Sequence, residues 1–404
     1  MNHIPLDFTT IDGELGIAGR KASDWVRQAG DTPLFVYDRA IIRQRLDDLR
    51  TAMPADVAIH YAIKANPLPA LVEWIAPLVD GLDVASAGEL RTAFRVGSGR
   101  RISFAGPGKR DSELAEAVLA AATINIESAG ELERAAGIAS AASMPLHAAI
   151  RVNPPFDMKG SGMRMGGGAK PFGVDAASVP SVLRRMTQLG VVFEGFHVFA
   201  GSQNLSAASI IAAQAQTIAL VAELSEHAPC PPPLVNIGGG FGLPYFAGER
   251  PLDIAAIGTA LGHALESRPA ILRQARFAIE LGRYLVGEAG VYLTRIVDRK
   301  ISHGQTFLVV DGGLHHQLAA SGNFGTVIRR NYPLANASRF SDPDAMQANV
   351  VGCLCTPLDR LGEGVHLPES QVGDLIAVFM AGAYGATASP GAFLGHARAT
   401  EILA

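Results

Sequence analysis

The sequence predicts an α/β fold, a (β/α)8 barrel of the TIM type followed by a separate β-domain. Three observations lead there. Short apolar runs alternate with helical patterns about eight times before residue 281. The alternating stretch, about 245 residues, is the usual length of such a barrel. Beyond residue 282 helical patterning stops, and apolar runs are separated by turns rich in Gly, Pro and Asp. Alternation alone equally permits an open, doubly wound sheet.

Residues 1–30 are weakly patterned and are expected to complete the C-terminal β-domain (β-sandwich or barrel). The expected division is 1–30, barrel 31–281 and β-domain 282–404. Leu34-Phe35-Val36-Tyr37 reads as a short strand and 38–52 as a helix. Residues 56–64 follow as a strand, being apolar, too short for a helix and closed by Pro67. The pattern then gives helix 69–78, strand 81–85, helix 87–97, strand 101–105, helix 111–121 and strand 123–127. It continues with helix 129–140, strand 146–152, helix 175–189, strand 191–199, helix 206–227, strand 234–237, helix 253–268 and strand 276–280. Ser112 and Ser128 read as N-caps, the second with Glu131 at capping-box spacing. In the β-domain, 286–300, 305–310, 348–355 and 375–380 read as strands, and 160–170 (GSGMRMGGGAK) as a mobile loop.

Hydrophobic residues at 48% and charged residues at 18% describe a globular chain with ample core. A net charge of −4 with scattered Lys and Arg excludes a nucleic-acid footprint. Residues 1–30 lack the basic start and apolar run of a signal peptide, and no run of 18 apolar residues occurs, so the cytoplasm is expected. Cys230, Cys353 and Cys355 are odd in number and imply no disulfide framework. Neither Cys353-x-Cys355 nor His315-His316 has metal-ligand spacing, and no metal is expected.

The chemistry should lie at the C-terminal ends of the barrel strands. His60-Tyr61-Ala62-Ile63-Lys64-Ala65-Asn66-Pro67 places a lysine there. Burial would lower its pKa and free the amine as a nucleophile; alternatively its stem snorkels and the head reaches water. Other strand ends carry Asp83, Arg151 and Asn153, His197 and Ser202, Gly238-Gly239-Gly240, and Glu280-Leu281-Gly282-Arg283. Singly, each reads as a turn, a packing residue or a salt bridge. Together they supply an amine, a flat ring, backbone N–H groups where barrels hold phosphates, and a carboxylate. Those parts suit pyridoxal 5′-phosphate: an amine for its aldehyde, amides and a hydroxyl for its phosphate, a carboxylate for its pyridine nitrogen. Gly168-Ala169-Lys170-Pro171 lacks the GK[ST] ending of a nucleotide phosphate loop.

Nine segments in order, HYAIKANP, GLDVASAGEL, RVNP, FHVFAGSQ, NIGGGFG, IELGRYLVGEAG, VVDGG, CLCTPLD and AGAYGATAS, carry a resemblance across nearly the whole chain. The chain resembles the fold-type III decarboxylases, the diaminopimelate, ornithine and arginine decarboxylase family with an alanine-racemase-like barrel. The resemblance implies a homodimer with shared active sites. It implies Lys64 as Schiff-base lysine, His197 against the cofactor ring and Glu280 at the pyridine nitrogen. Ser202, Gly239, Gly240, Gly282, Arg283 and Tyr384 would surround the phosphate, with Asp83 and Arg151 nearby. Arg283 and Tyr384 would also face substrate. Cys355 matches the cysteine, supplied by the partner protomer, that reprotonates the substrate carbon. Cys353 is expected on the opposite face of its strand.

Two departures bear on substrate. Relatives that take diaminopimelate or ornithine carry an acid directly after the cysteine, where this chain has Thr356. The arginine and tyrosine that read the distal end of diaminopimelate are replaced by Ala319 and Asn323, although Asp311 keeps the family's acid. Loss of a recognising charge costs about 2–5 kcal/mol in binding, which argues against diaminopimelate. The wording RVNPPFDMKGSGMRMGGG and SGNFGTVIRRNYP is similar to decarboxylases associated with exosortase A systems. It is more distantly similar to those acting on carrier-tethered aminoacyl groups. The resemblance thus implies decarboxylation of an L-amino acid or aminoacyl conjugate. The rivals are an amino-acid racemase of the same fold, which places arginine where this chain has Glu280, and a catalytically silent regulator. A single-domain PLP-homeostasis protein would lack the β-domain.

Overall fold

The computed structural model describes residues 4–5, 7–97, 102–321 and 330–404. It divides into two units, one of Asp47–Leu243 and Pro251–Gly282, the other of Met1–Leu46, Pro244–Arg250 and Arg283–Ala404. The second unit takes in the 1–30 segment and runs past it to Leu46, and its return to the chain begins at Arg283.

The first unit is the barrel. Its strands are β1 (Val57–Ala62), β2 (Gly81–Val84), β3 (Ile102–Phe104), β4 (Thr123–Ile126), β5 (His147–Asn153), β6 (Val192–Val198), β7 (Leu234–Gly239) and β8 (Arg276–Leu281). All pair in parallel in chain order, β8 joins β1, and β4 pairs with β5, so the sheet closes without an edge. Closure rules out the open doubly wound alternative. All six residues of β1 are buried, the near-continuous apolar pattern of a strand covered on both faces. Helices of the outer ring follow the expected spans, for example Ala87–Val96, Ala129–Ala141 and Ile254–Glu266.

Several expectations change in detail. Leu34–Tyr37 does not join the barrel; it pairs with Gly290–Ser302 and Thr400–Leu403 in the other unit. Helix Asp111–Leu119 is capped at Arg110, leaving Ser112 inside its first turn. Ser128 does cap its helix by accepting from the Glu131 N–H, but the Glu131 side chain accepts from Glu127 N instead of closing the box on Ser128. Residues 160–170 are tied down: Met163–Arg164 pairs with Gly201–Ser202, and the Met165 and Gly166 N–H groups donate to Ala200. Ala207–Ser225 is long and apolar enough to span a membrane, with mean hydropathy 1.4. Ile210, Ala213, Ile218, Val221 and Leu224 make one buried face of it.

The second unit is a β-domain. A bent strand, Gly290–Ser302, pairs along its first half with Leu375–Val378 and Leu34–Tyr37 and along its second half with Gln305–Val310. The sheet continues through Met346–Val351 to Arg360–Leu367. A three-stranded meander, Thr9–Ile11, Glu14–Ile17 and Arg20–Lys21, comes from the N-terminal segment.

Candidate active site

Strand β1 ends at Ala62, and Lys64 occupies the 3-10 turn that follows. The lysine therefore stands just beyond the barrel rim, and its side chain is 43% exposed. Its Nζ lies 3.4 Å from Glu280 Oε1 and 5.4 Å from the centroid of the Phe199 ring. Glu280 is the register partner of His60 on β1 and is buried. Its other oxygen accepts from His197 Nε2 at 3.0 Å. Burial alone would push this carboxyl up, but Lys64, the His197 hydrogen bond and Arg151 hold it far below the ordinary value of 4.5. An ionised carboxylate thus faces an amine at the barrel mouth.

His197 is buried and pairs in register with Arg151 and Asn236. Its Nδ1 is enclosed without a hydrogen-bond partner among the described residues. Asp83 is buried against His60, whose Nδ1 lies 3.4 Å from Oδ2 and 3.5 Å from Oδ1. Arg151 donates to Glu127 at 2.9 Å. Arg151 therefore links the first ionic group to a second. Lys109 Nζ donates to Glu131 at 2.8 Å and lies 4.0 Å from Glu127, which also accepts from the Gly173 N–H. Burial favours a protonated Glu127, but Arg151 and Lys109 outweigh it and keep the carboxyl below its ordinary value. Arg151 is legible in the sequence at its strand end, Glu131 only as a capping residue, and Lys109 and Glu127 not at all. A lysine, an acid before a helix and an acid in its first turn read as surface and cap, and only the barrel's curvature brings them together.

The glycine run ends β7. Gly240 has φ +77°, and a Cβ there would collide with the Gly201 carbonyl oxygen. One on Gly239 would collide with Glu280 O and stand 2.9 Å from the Leu281 side chain. Gly240 O accepts from the Asn204 N–H, so the loop carrying Ser202 lies against the glycines. Gly282 comes within contact of Ala62 and Ala65, on either side of Lys64. Amine, carboxylate, ring and glycine cradle therefore converge within one unit.

In the β-domain unit Arg283 donates to the Tyr245 hydroxyl at 2.9 Å, and its guanidinium covers the Tyr384 ring at 4.7 Å. Tyr245 packs on Tyr332, with centroids 5.0 Å apart. Tyr384 has φ +55°, a conformation side chains seldom adopt, which surrounding structure must hold in place. Arg283 Nε is buried without a hydrogen-bond partner among the described residues, so this cation retains capacity for an anion. Tyr245 and Tyr332 gave no sequence signal.

Strand Met346–Val351 stops short of the cysteines, so Cys353 and Cys355 lie in a loop and not on opposite strand faces as expected. Asp359 shapes this loop, accepting from Leu354 N and Leu314 N. Cys355 is exposed. Thr356 donates its N–H to Leu354 O and accepts from Leu358 N. Asp311 is occupied structurally: it accepts from Thr32, from Thr294 Oγ1 at 2.6 Å and from Arg295 N at 2.9 Å. That bracing explains the residue without the substrate contact expected of it. Ala319 is buried, and Asn323 lies outside the described residues.

A closed parallel barrel bearing this lysine, carboxylate and glycine cradle defines an enzyme built around an aldehyde cofactor with a phosphate. The buried His197 Nδ1, without a partner among the described residues, and the bare glycine backbone fit pyridoxal 5′-phosphate. Comparison with known proteins makes the class specific. The family described as "Pyridoxal-dependent decarboxylase, pyridoxal binding domain" matches residues 39–287. The chain is 38% identical over 380 residues to the L-glutamyl-[BtrI acyl-carrier protein] decarboxylase of Niallia circulans, covering 92% of this chain and 89% of that one. It is 32% identical to the diaminopimelate decarboxylase of Aquifex aeolicus, over 93% and 87% of the two chains. The structure of Helicobacter pylori diaminopimelate decarboxylase complexed with L-lysine superposes with a TM-score of 0.83 at 25% identity, over 95% and 94%. The chain belongs to the fold-type III pyridoxal-dependent decarboxylases. It is a lyase, and its cofactor is pyridoxal 5′-phosphate.

Proposed function

We propose that the enzyme decarboxylates an L-α-amino acid whose side-chain end is tethered or acylated, with a carrier-bound glutamyl group as the model substrate. The observation that carries this reading is the 38% identity to a decarboxylase whose own substrate is an aminoacyl carrier protein. Chemistry then fixes the attachment. Decarboxylation needs a free α-amine and a free α-carboxylate, so a tether must leave through the side chain. A tethered end carries no ammonium, which agrees with Thr356 standing where an acid serves amine-bearing substrates.

When bound, pyridoxal 5′-phosphate supplies the sink for the electron pair released as the Cα–carboxylate bond breaks. Lys64 would hold it through Nζ. Glu280, kept ionised, would hold a proton at the pyridine nitrogen, and His197 would lie against the ring. Ser202 and the amides of Gly239, Gly240 and Gly282 would hold the phosphate. Asp83 and Arg151 would surround this group, and Arg151 also keeps Glu127 ionised. Cys355, exposed, is the acid we assign to return a proton to Cα. In the homodimer that we also propose, it acts in the other protomer's site. Leu358, Phe393 and Leu394 lie exposed on segments near it, as a surface covered by a second copy would leave them.

The test is release of labelled CO2 by purified holoenzyme. Glutamyl thioesters of pantetheine and of a carrier protein are compared with free glutamate, lysine and diaminopimelate. We expect the tethered substrates to exceed every free amino acid by at least about 100-fold in kcat/KM, about 2.7 kcal/mol. Equal or faster turnover of free diaminopimelate overturns the assignment.

A further inference from the structure

Three side chains remote in sequence meet in the β-domain unit. His315 lies in the turn after strand Gln305–Val310, Cys353 in the loop after Met346–Val351, and His396 just beyond the 3-10 turn Phe393–Gly395. A ligand atom from each lies within 4.8 Å of those of the other two. Cys353 Sγ stands 4.0 Å from the His396 ring nitrogens, and the His315 and His396 ring centroids are 5.0 Å apart. His315 is wholly buried, and neither of its nitrogens has a hydrogen-bond partner among the described residues. Buried imidazole nitrogens left unpaired are costly, so the arrangement calls for a further partner.

We propose that His315, Cys353 and His396 form a binding site for a thiophilic divalent metal of the zinc class. Two imidazoles and a thiolate are the donor set such ions select over calcium or magnesium, which require oxygen. Donor atoms of a tetrahedral zinc stand about 3.3–3.8 Å apart, given bonds of about 2.0–2.3 Å. Rotation of the exposed His396 and the half-buried Cys353 closes the remaining gap. The Cys353 thiol gives up its proton on binding. His316 is already committed, its Nε2 to Ala397 O and its Nδ1 to the Tyr292 hydroxyl. Three protein ligands leave a fourth position for water or an exogenous donor.

The site would join three chain segments and fix the backbone two residues from Cys355. It does not depend on the identity of the substrate. Untagged holoenzyme is stripped with chelator and titrated with Zn2+ or Co2+, with metal counted by mass spectrometry. We expect one ion per chain. The Co2+ form should show the visible d–d bands of a tetrahedral centre and a thiolate charge-transfer band in difference spectra. Cys353→Ser should abolish the charge-transfer band, His396→Ala should weaken binding at least tenfold, and Cys355→Ser should change neither. Retention of the cofactor's visible band shows that each variant is folded, and exposed His396 provides a variant with little folding risk. No stoichiometric binding by the wild type, binding unchanged in Cys353→Ser and His396→Ala, or loss confined to Cys355→Ser would each overturn the proposal.

Discussion

Glu280 and Glu127 are two buried carboxylates in one barrel, held ionised by cations that overlap only at Arg151. Glu280 has Lys64 and a hydrogen bond to His197 beside it, and Glu127 has Arg151 and Lys109. The first pair is half open at Lys64, as a reacting amine must be. The second is closed, with Lys109 and Glu127 only 1% and 3% exposed, and it has the character of a support. Glu127 is a stronger acid in the folded chain than in the unfolded one. As pH falls, the unfolded chain takes up the proton first. The stability conferred is complete above the ordinary value of 4.5 and fades through the lowered one. His60 runs the opposite way: its pKa is raised, chiefly by Asp83 overcoming desolvation. Its contribution is complete below 6.5 and fades as pH rises past the raised value. Glu127→Gln leaves Lys109 and Arg151 undercompensated and should cost about 3–5 kcal/mol at neutral pH. In urea unfolding, the difference from wild type should hold steady from about pH 7 to about 5 and shrink as pH falls below 4.5. A constant difference would assign the loss to packing instead of charge.

The loop after β7 shows what a glycine does for a site. Gly240→Ala places a methyl against Gly201 O in a left-handed conformation. Gly248, at φ +89°, has nothing within 4 Å of an added Cβ and bears the same backbone penalty without the collision. Pyridoxal phosphate titration of the two variants, read from the visible band, separates these effects. Gly240→Ala should lose at least about tenfold in affinity, while Gly248→Ala should match wild type. The loop, like Lys64, Arg151 and Glu280, was legible because a breaker or polar group after an apolar run marks a strand end. Leu34–Tyr37 was misplaced because four apolar residues read alike in any sheet, and its partners Gly290–Leu293 and Thr400–Leu403 lie far along the chain. Strand Arg360–Leu367 went unseen because two glycines and three charged or polar side chains hide its alternation. The His315–Cys353–His396 cluster was invisible for a related reason: ligand spacing is a property of local sequence, and this cluster is assembled by the sheet.

At the scale of the whole molecule, the residues assigned to one reaction are distributed over two units. Lys64, Glu280 and the glycine cradle belong to the barrel, whereas Cys355 and Thr356 belong to the β-domain. Such a division has a consequence if the enzyme is a homodimer with exchanged cysteines, as we propose. Lys64→Ala and Cys355→Ala are each expected to be nearly inactive as pure dimers, since every site lacks one group. Mixed by reversible denaturation, the two chains form hybrids in which one site carries both defects and the other carries none. Random pairing makes about half the dimers hybrid, each with one intact site of two, so about a quarter of wild-type activity should return. If each chain built its site from its own cysteine, both sites of every hybrid would remain defective. Activity would then not exceed the sum of the parents. Spectral recovery of the cofactor in the Cys355→Ala chains of the mixture distinguishes failed refolding from failed complementation. A fractional recovery near a quarter therefore reads out both the oligomer and the sharing of the site.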